Sequence, residues 1–305
     1  LNIDPALLQS TAAQAAGMQQ YPAAALYVVA TPIGNLADLT LRAIHVLAIV
    51  DAVACEDTRV SGSLLRHLGL DKPLIALHQH NESQAAALVL QRLALGQRVA
   101  YVSDAGTPAV SDPGAALVAQ VAAAGCRVLP IPGASSALAA LSVAGDARSN
   151  GFEFLGFLPA RGAERAAALQ RLGQGTAAQL LFEAPHRIES LAGELAELAP
   201  QRRLTLCREL TKQFETVATM PAADLPGWLA ADAHRLRGEF VLVLHAPEPA
   251  AVPAAGLPSA ALHMLDVLLR ELPLKQAVAL SAELSAAPRN ALYQAALQRK
   301  AGTAE

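Results

Sequence analysis

From Ala24 onward the chain repeats one pattern: a short apolar run, a polar turn, then apolar residues at helical spacing. Strand-like runs fall at 26–30, 52–55, 74–77, 99–103 and 128–131. Helical patterns fall at 39–50, with Asp38 as a cap, and at 63–68, 83–95, 115–124 and 135–143. Buried strands alternating with helices belong in a largely parallel sheet, because each crossover returns the chain to the same edge and covers a face. The repeat predicts an α/β domain over 24–148. A second unit, 149–246, has strands at 152–157, 178–182, 204–208, 215–220 and 239–245, with helices at 163–172 and 188–198. Its last two strands suggest an antiparallel pair, hence a mixed α/β half. A Pro/Ala-rich linker at 247–259 leads to a helical module over 260–301, three short helices with Pro273 and Pro288 as breaks or first-turn residues. Residues 1–23 are Ala/Gln-rich without a firm period and are expected to form a flexible extension.

Composition limits the classes of function. With 53% hydrophobic and 16% charged residues in 305, wholesale disorder is excluded. The balance of 23 basic against 26 acidic residues gives no strong field to gather nucleic acid or anionic lipid. Locally, 160–212 carries eight basic and six acidic residues, a +2 excess rather than a basic stripe. On composition alone a nucleic-acid partner is not expected. Cys55, Cys126 and Cys207 stand far apart, so neither a disulfide frame nor a zinc site is expected. No apolar run is long enough to span a bilayer, and the first basic residue is Arg42, so a basic presequence is not expected and the cytoplasm is.

In open α/β sheets ligands bind beyond the carboxyl ends of the strands, and there this sequence concentrates its unusual residues. Thr31-Pro-Ile-Gly-Asn35 follows the first strand; the chain has neither GxGxxG nor GxxxxGK[ST], so this loop alone reads as a tight turn. Glu56, Asp57 and Arg59 follow the second strand, either as an exposed Asp57–Arg59 pair or as part of a site. His78 and His80 share one face of an extended segment, but no third ligand is suitably spaced, so no metal is expected. His80 fits a polar pocket edge and a general base better, and Glu82 is equally a first-turn helix acid. Densest is the run from Ser103 to Gly114, with two acids, two glycines and two prolines in twelve positions, a rigid loop suited to close approach of a ligand. Gly133, Ser135 and Ser136 precede a helix, where free N–H groups suit a carboxylate, or where Ser135 is a plain cap. In the second unit, Glu183 to Arg187 and Arg208 to Glu215 set acids and bases directly after apolar strands. Together they indicate a cleft between the units.

In this order and spacing the blocks Leu26-Tyr-Val-Val-Ala-Thr-Pro-Ile-Gly-Asn-Leu36, Cys55-Glu-Asp-Thr-Arg59, His80-Asn-Glu82, Ser103-Asp-Ala-Gly-Thr-Pro108, Pro185-His-Arg187 and Arg208-Glu-Leu-Thr-Lys212 resemble the ribosomal RNA small-subunit methyltransferase I family. That family lies within the tetrapyrrole-methylase-like, class III S-adenosylmethionine methyltransferases. The likeness runs over about 26–245 and reappears at 271–276 and 289–293; Ala184 stands where the family usually has Ser, and Gln79 where it is usually acidic. The resemblance implies a two-domain α/β fold with S-adenosyl-L-methionine between the domains. It implies a cofactor pocket of Pro32, Ile33, Gly34, Asp104, Ala105, Gly106, Thr107, Pro108, Ser135 and Ser136, approached by Ala184, Pro185, Leu210 and Thr211. The implied activity is methylation of the ribose 2′-hydroxyl of a cytidine in the decoding region of 16S ribosomal RNA, by a homodimer without a metal.

A ribose hydroxyl is weakly acidic, so the transfer is helped by a base, for which Glu56, Asp57, His80, Glu82 and Glu183 are candidates, and by a cation such as Lys212 or Arg59. Arg59, Arg161, Arg187, Arg208 and Arg289 are the candidate RNA contacts, with 16S rRNA or the small ribosomal subunit as partner. The last helices, with Arg289, Arg299 and Lys300, serve either as an RNA-gripping appendage or as a packing bundle. Rival readings are C-methylation of a tetrapyrrole and a non-catalytic ribosome-binding protein on the same fold.

Overall fold

In a computed structural model of the chain, residues 4–78, 81–248 and 257–302 are described, the side chains of 300–302 excepted. They form two compact units, Leu1–Ala246 and Pro247–Glu305.

The first unit opens with a difference from expectation. Within the stretch read as a flexible extension, α1 (Pro5–Ala16) is an ordered helix: Asp4 caps it, Pro5 takes its first turn, and Ala12 and Ala16 are buried. Gln9 donates to the Leu68 carbonyl at 2.6 Å, and Tyr21 Oη to the Ala16 carbonyl at 3.0 Å. With alanine at the fully buried positions and Leu7 exposed, the two faces differ little, so the helix left no period to read.

Next come β1 (Ala25–Val29), α2 (Leu41–Ile49), β2 (Ala52–Cys55), α3 (Thr58–His67), β3 (Leu74–Ala76), α4 (Glu82–Ala94), β4 (Val99–Val102), α5 (Gly114–Ala123), β5 (Arg127–Ile131) and α6 (Ser136–Ala144). The five strands are all parallel, in the order β3-β2-β4-β1-β5. Neighbouring strand residues serve opposite faces. Tyr27, Val53 and Val102 join a core with α2, while Leu26, Ala54 and Tyr101 join one with α4 and α5. Thr40, not Asp38, caps α2, its Oγ accepting from Ala43 N at 3.1 Å; Asp38 ends a one-turn 3₁₀ helix, Leu36–Asp38.

The second sheet holds β6 (Phe152–Phe157), β7 (Ala178–Glu183), β8 (Arg203–Arg208), β9 (Thr216–Pro221) and β10 (Phe240–Leu244), with α7 (Gly162–Gln174) and α8 (Ile188–Leu198) between the first three. Its order is β6-β7-β10-β8-β9, with β6 and β7 parallel and every other pair antiparallel. The antiparallel partner of β9 is therefore β8, and β10 enters the middle. β10 is buried at all five positions and suits the centre; β9, half exposed, suits an edge. A short α9 (Leu225–Ala230) had no signal in the sequence reading. One face of this sheet is covered by α6, whose Ala137, Ala140 and Ala144 pack with Leu180, Cys207 and Val243.

The carboxy-terminal unit contains α10 (Ser259–Glu271), α11 (Leu274–Ser285) and α12 (Arg289–Gly302), around Leu265, Val278, Leu292 and Ala296. Pro273 and Pro288 precede the second and third helices, and Arg299 pairs with Asp266. Most of the Pro/Ala linker, 249–256, lies outside the described residues. Among the described residues no helix is long and apolar enough to cross a membrane.

Candidate active site

Two adjoining cavities lie where the ends of β1, β2 and β4 face the second sheet. One, of about 460 Å³, is lined by the loops after β1, β2, β4 and β5 and by Phe182 to Pro185, Leu210 and Glu239 to Val241. The other, of about 560 Å³, is lined by Thr31 to Gly34, Leu36, the α3 residues Val60, Ser61, Ser63, Leu64 and His67, and Lys212. Ile33, Ser103, Asp104, Ala105 and Glu239 belong to both.

Backbone and short side chains fix the first half's wall. Thr31 and Gly106 exchange N–H···O bonds at 2.9 and 3.0 Å, joining the loops after β1 and β4. Thr107 Oγ1 donates to the Ala134 carbonyl at 3.0 Å, which adds the loop after β5. Asp112 closes the long loop on itself, accepting from Ala109 N at 2.8 Å, Gly114 N at 2.9 Å and Tyr101 Oη at 2.6 Å. Ser135 both caps α6 and lines the first cavity.

Of the expected cofactor residues, Asp104, Ala105, Gly106, Thr107, Ser135, Ser136, Ala184, Pro185 and Leu210 line the first cavity, as does Ile33. Pro32 and Gly34 line the second. Pro108 is buried behind the loop and lines neither. Thr211 also lines neither; its N–H donates to Glu215 at 2.6 Å.

Among the candidate bases, Glu56 lines the first cavity, and burial, followed by the charges of Asp104, Asp112 and Asp57, pushes its carboxyl upward. Asp57 lines neither cavity. It caps α3, and the hydrogen bonds from the Arg59 guanidinium and backbone N–H hold its carboxyl down at about 2. Glu82 opens α4 as a first-turn acid, away from both cavities. His80 lies outside the described residues. Glu183 lines the first cavity with its side chain fully buried; Oε1 accepts from Ala184 N at 2.9 Å and stands 3.0 Å from Arg187 Nε.

Charged side chains fix this second wall. Arg187 also donates to the Leu158 carbonyl at 2.7 Å, tying the turn after β7 to the end of β6. Arg208 donates to the carbonyls of Phe214 and His234 at 2.9 and 3.1 Å. Both arginines thus face protein partners, and Arg59 is paired with Asp57, whereas Arg161 and Arg289 are exposed. Lys212 Nζ lies 2.9 Å from both Glu209 Oε1 and Glu239 Oε2. Burial pulls this ammonium down, but the bonds to Glu239 and Glu209 outweigh it, so the lysine is a cation and not a base. Lys212 crosses the β1 loop at Gly34 (φ +156°), where a Cβ would stand 2.4 Å from Lys212 Cγ. Only glycine accommodates that crossing.

Glu239 joins both cavities and was missed in the sequence, because it precedes a strand rather than following one. β10 runs antiparallel to its neighbours, so its start, Phe240, sits opposite Glu183 and Arg208 at the ends of β7 and β8. Phe157, Phe182 and Val110 of the first cavity were also missed; their only signal was adjacency to motifs.

A parallel sheet facing a mixed sheet across such a cavity defines the tetrapyrrole-methylase fold. Residues 25–226 match the family described as Tetrapyrrole (Corrin/Porphyrin) Methylases. The solved structure of cobalt precorrin-4 methyltransferase aligns with a TM-score of 0.56 at 17% identity, covering 74% of this chain and 97% of that one. Diphthine synthase aligns with a TM-score of 0.55 at 16% identity, covering 72% and 90%. Such likenesses speak for the fold. Nearer relatives are named Ribosomal RNA small subunit methyltransferase I: that of Pseudomonas aeruginosa is 48% identical over 91% of this chain and 98% of its own, and that of Vibrio cholerae 46% over 90% and 94%. Residues 255–300 match the RsmI C-terminal HTH domain. The chain belongs to the ribosomal RNA small subunit methyltransferase I family.

Proposed function

We propose that the chain transfers a methyl group from S-adenosyl-L-methionine to the ribose 2′-hydroxyl of a cytidine in the decoding region of 16S ribosomal RNA. The observation that carries this reading is the 44–48% identity to small-subunit rRNA methyltransferases over about nine tenths of the chain. The tetrapyrrole reading is supported by the family match over 25–226 and by fold likenesses such as those at 17% and 23% identity, whereas the relatives at 44–48% identity carry the ribosomal RNA name.

The first cavity suits the cofactor chemically. Ile33, Phe182, Leu210 and Val241 offer apolar surface for a purine, and the amino-terminal turn of α6 offers N–H groups to a carboxylate. Asp104, Glu56 and Glu239 offer acceptors to an ammonium group or a ribose diol. Bound there, S-adenosyl-L-methionine supplies an electrophilic methyl group on sulfur. The pinned loops after β1 and β4 hold the reacting geometry, and a wall carboxylate receives the hydroxyl's hydrogen bond. Lys212 supplies fixed positive charge beside the nascent oxyanion. Of the five candidate arginines, exposed Arg161 and Arg289 are the two that meet phosphate in this reading.

The test is transfer of a tritiated methyl group onto small subunits lacking the modification, followed by nuclease mapping and alkaline hydrolysis. The label is expected in one alkali-resistant dinucleotide beginning with cytidine, because methylating the 2′-oxygen removes the nucleophile that cleaves RNA. Label on a base, or transfer only to a tetrapyrrole, overturns the reading.

A further inference from the structure

We propose that the second cavity is the acceptor site: it takes one unstacked nucleotide, ribose toward the shared wall, and Glu239, held by Lys212, receives the hydroxyl proton. The inference rests on the reading of function above and adds where the substrate sits.

Contiguity is the first support. In-line transfer needs the reacting atoms about 3–3.5 Å apart, so the acceptor must occupy space open to the cofactor cavity. The second cavity shares Ile33, Ser103, Asp104, Ala105 and Glu239 with the first. Its volume of about 560 Å³ lies within the range of small-ligand sites.

The walls are the second. Leu36 and Val60 remain 50% and 44% exposed, apolar surface that a flat base would cover. A base taken out of its stack is held between aromatic or apolar side chains, and a base within a duplex must first be unstacked. The same cavity is lined by the Lys212–Glu239 ion pair, and Glu239 also lines the cofactor cavity. Apolar surface together with an ion pair matches a nucleotide's flat base and hydroxylated sugar.

The backbone is the third. Glu209 and Thr211 hold φ values of +52° and +66°, a left-handed conformation that non-glycine residues keep only where the surroundings impose it. Here Glu209 N donates to the Glu239 carbonyl at 3.0 Å, and Glu239 N to Glu209 Oε1 at 2.9 Å. This strained turn places Leu210 in one cavity and Lys212 in the other. Lys212 grips Glu239 at Oε2, yet the Glu239 side chain stays 79% exposed and accessible to an incoming hydroxyl. As the oxygen–carbon bond forms, the sulfur–carbon bond breaks with its electron pair on sulfur, and the proton passes to Glu239.

The experiment uses the full chain, tritiated cofactor and unmethylated small subunits. Val60→Trp adds bulk from an exposed helix position, so folding is retained. It is expected to raise KM for subunits about tenfold or more, with cofactor affinity by calorimetry within about twofold. Glu239→Gln is expected to lower kcat about 100-fold at unchanged cofactor affinity. A wild-type KM in Val60→Trp, or an equal loss of cofactor binding, overturns the acceptor site; a wild-type kcat in Glu239→Gln overturns its role. Unmethylated subunits left unlabelled by the wild-type protein would instead overturn the functional reading itself.

Discussion

On the first half's side of the cleft, the loops are held by backbone. Thr31 and Gly106 bond each other twice, and a threonine hydroxyl and one aspartate, Asp112, do the rest. Across the cleft the loops are held by long charged side chains: Glu183 with Arg187, Arg208 with two carbonyls, and Lys212 between Glu209 and Glu239. Parallel strand ends and a helix amino terminus leave free N–H groups there, which make a wall themselves. On the mixed sheet's side, the turns after β7 and β8 are held by side-chain struts instead. Buried Glu183 is thus a scaffold on one side of the cleft, where Glu239 alone of the named acids stays largely exposed, while on the other Asp104 and Glu56 line the cavity.

The contrast can be broken experimentally. The largest effect is expected where the walls touch: Gly34→Val drives a Cβ into Lys212 and should cut methyl transfer about 100-fold while circular dichroism stays native. Near-normal turnover would mean that the crossing is loose. Next is Glu183→Ala, which leaves Arg187 half-buried without its carboxylate. Urea unfolding should show a loss of about 3 kcal/mol. Turnover per folded molecule should hold if Glu183 is a strut, and collapse if it is a catalyst. Thr107→Val on the backbone-held wall should cost only about 1 kcal/mol; a loss equal to that of Glu183→Ala would erase the contrast.

Smallest is the acid limb. Asp57 titrates at about 2 in the folded chain, against an ordinary 3.8, so its stabilisation is complete above the ordinary value. That contribution is lost as pH falls through about 2. Asp57→Asn should therefore narrow the stability difference from wild type as pH drops through this window, and a constant difference would remove Asp57 from the acid response.

The parts of the site made by sequence-local chemistry were legible. The loops after β1, β4 and β5 announced themselves through Gly, Pro, Asp and Ser density, and the structure gathers them on one cavity. The alternation of strand and helix likewise gave the parallel sheet, since both depend on neighbours along the chain. What required tertiary pairing was not legible. Glu239 reaches the site because β10 inserts backwards between β7 and β8, and no residue near 239 records that insertion. Arg187 and Arg208 look in sequence like any RNA-facing arginine; only the fold turns them toward Glu183 and the loop carbonyls. For α1, small residues on the buried face hid the helix.

One feature bears on how such a chain can be cut and rejoined. α6 follows the last strand of the first sheet, yet Ala137, Ala140 and Ala144 pack against the second. A fragment ending after it would carry an apolar helix with nothing to cover, and a fragment starting there would leave Leu180, Cys207 and Val243 bare. The workable seam for a split protein or a chimera therefore falls at the turn before Ser135, so that α6 travels with the sheet it covers.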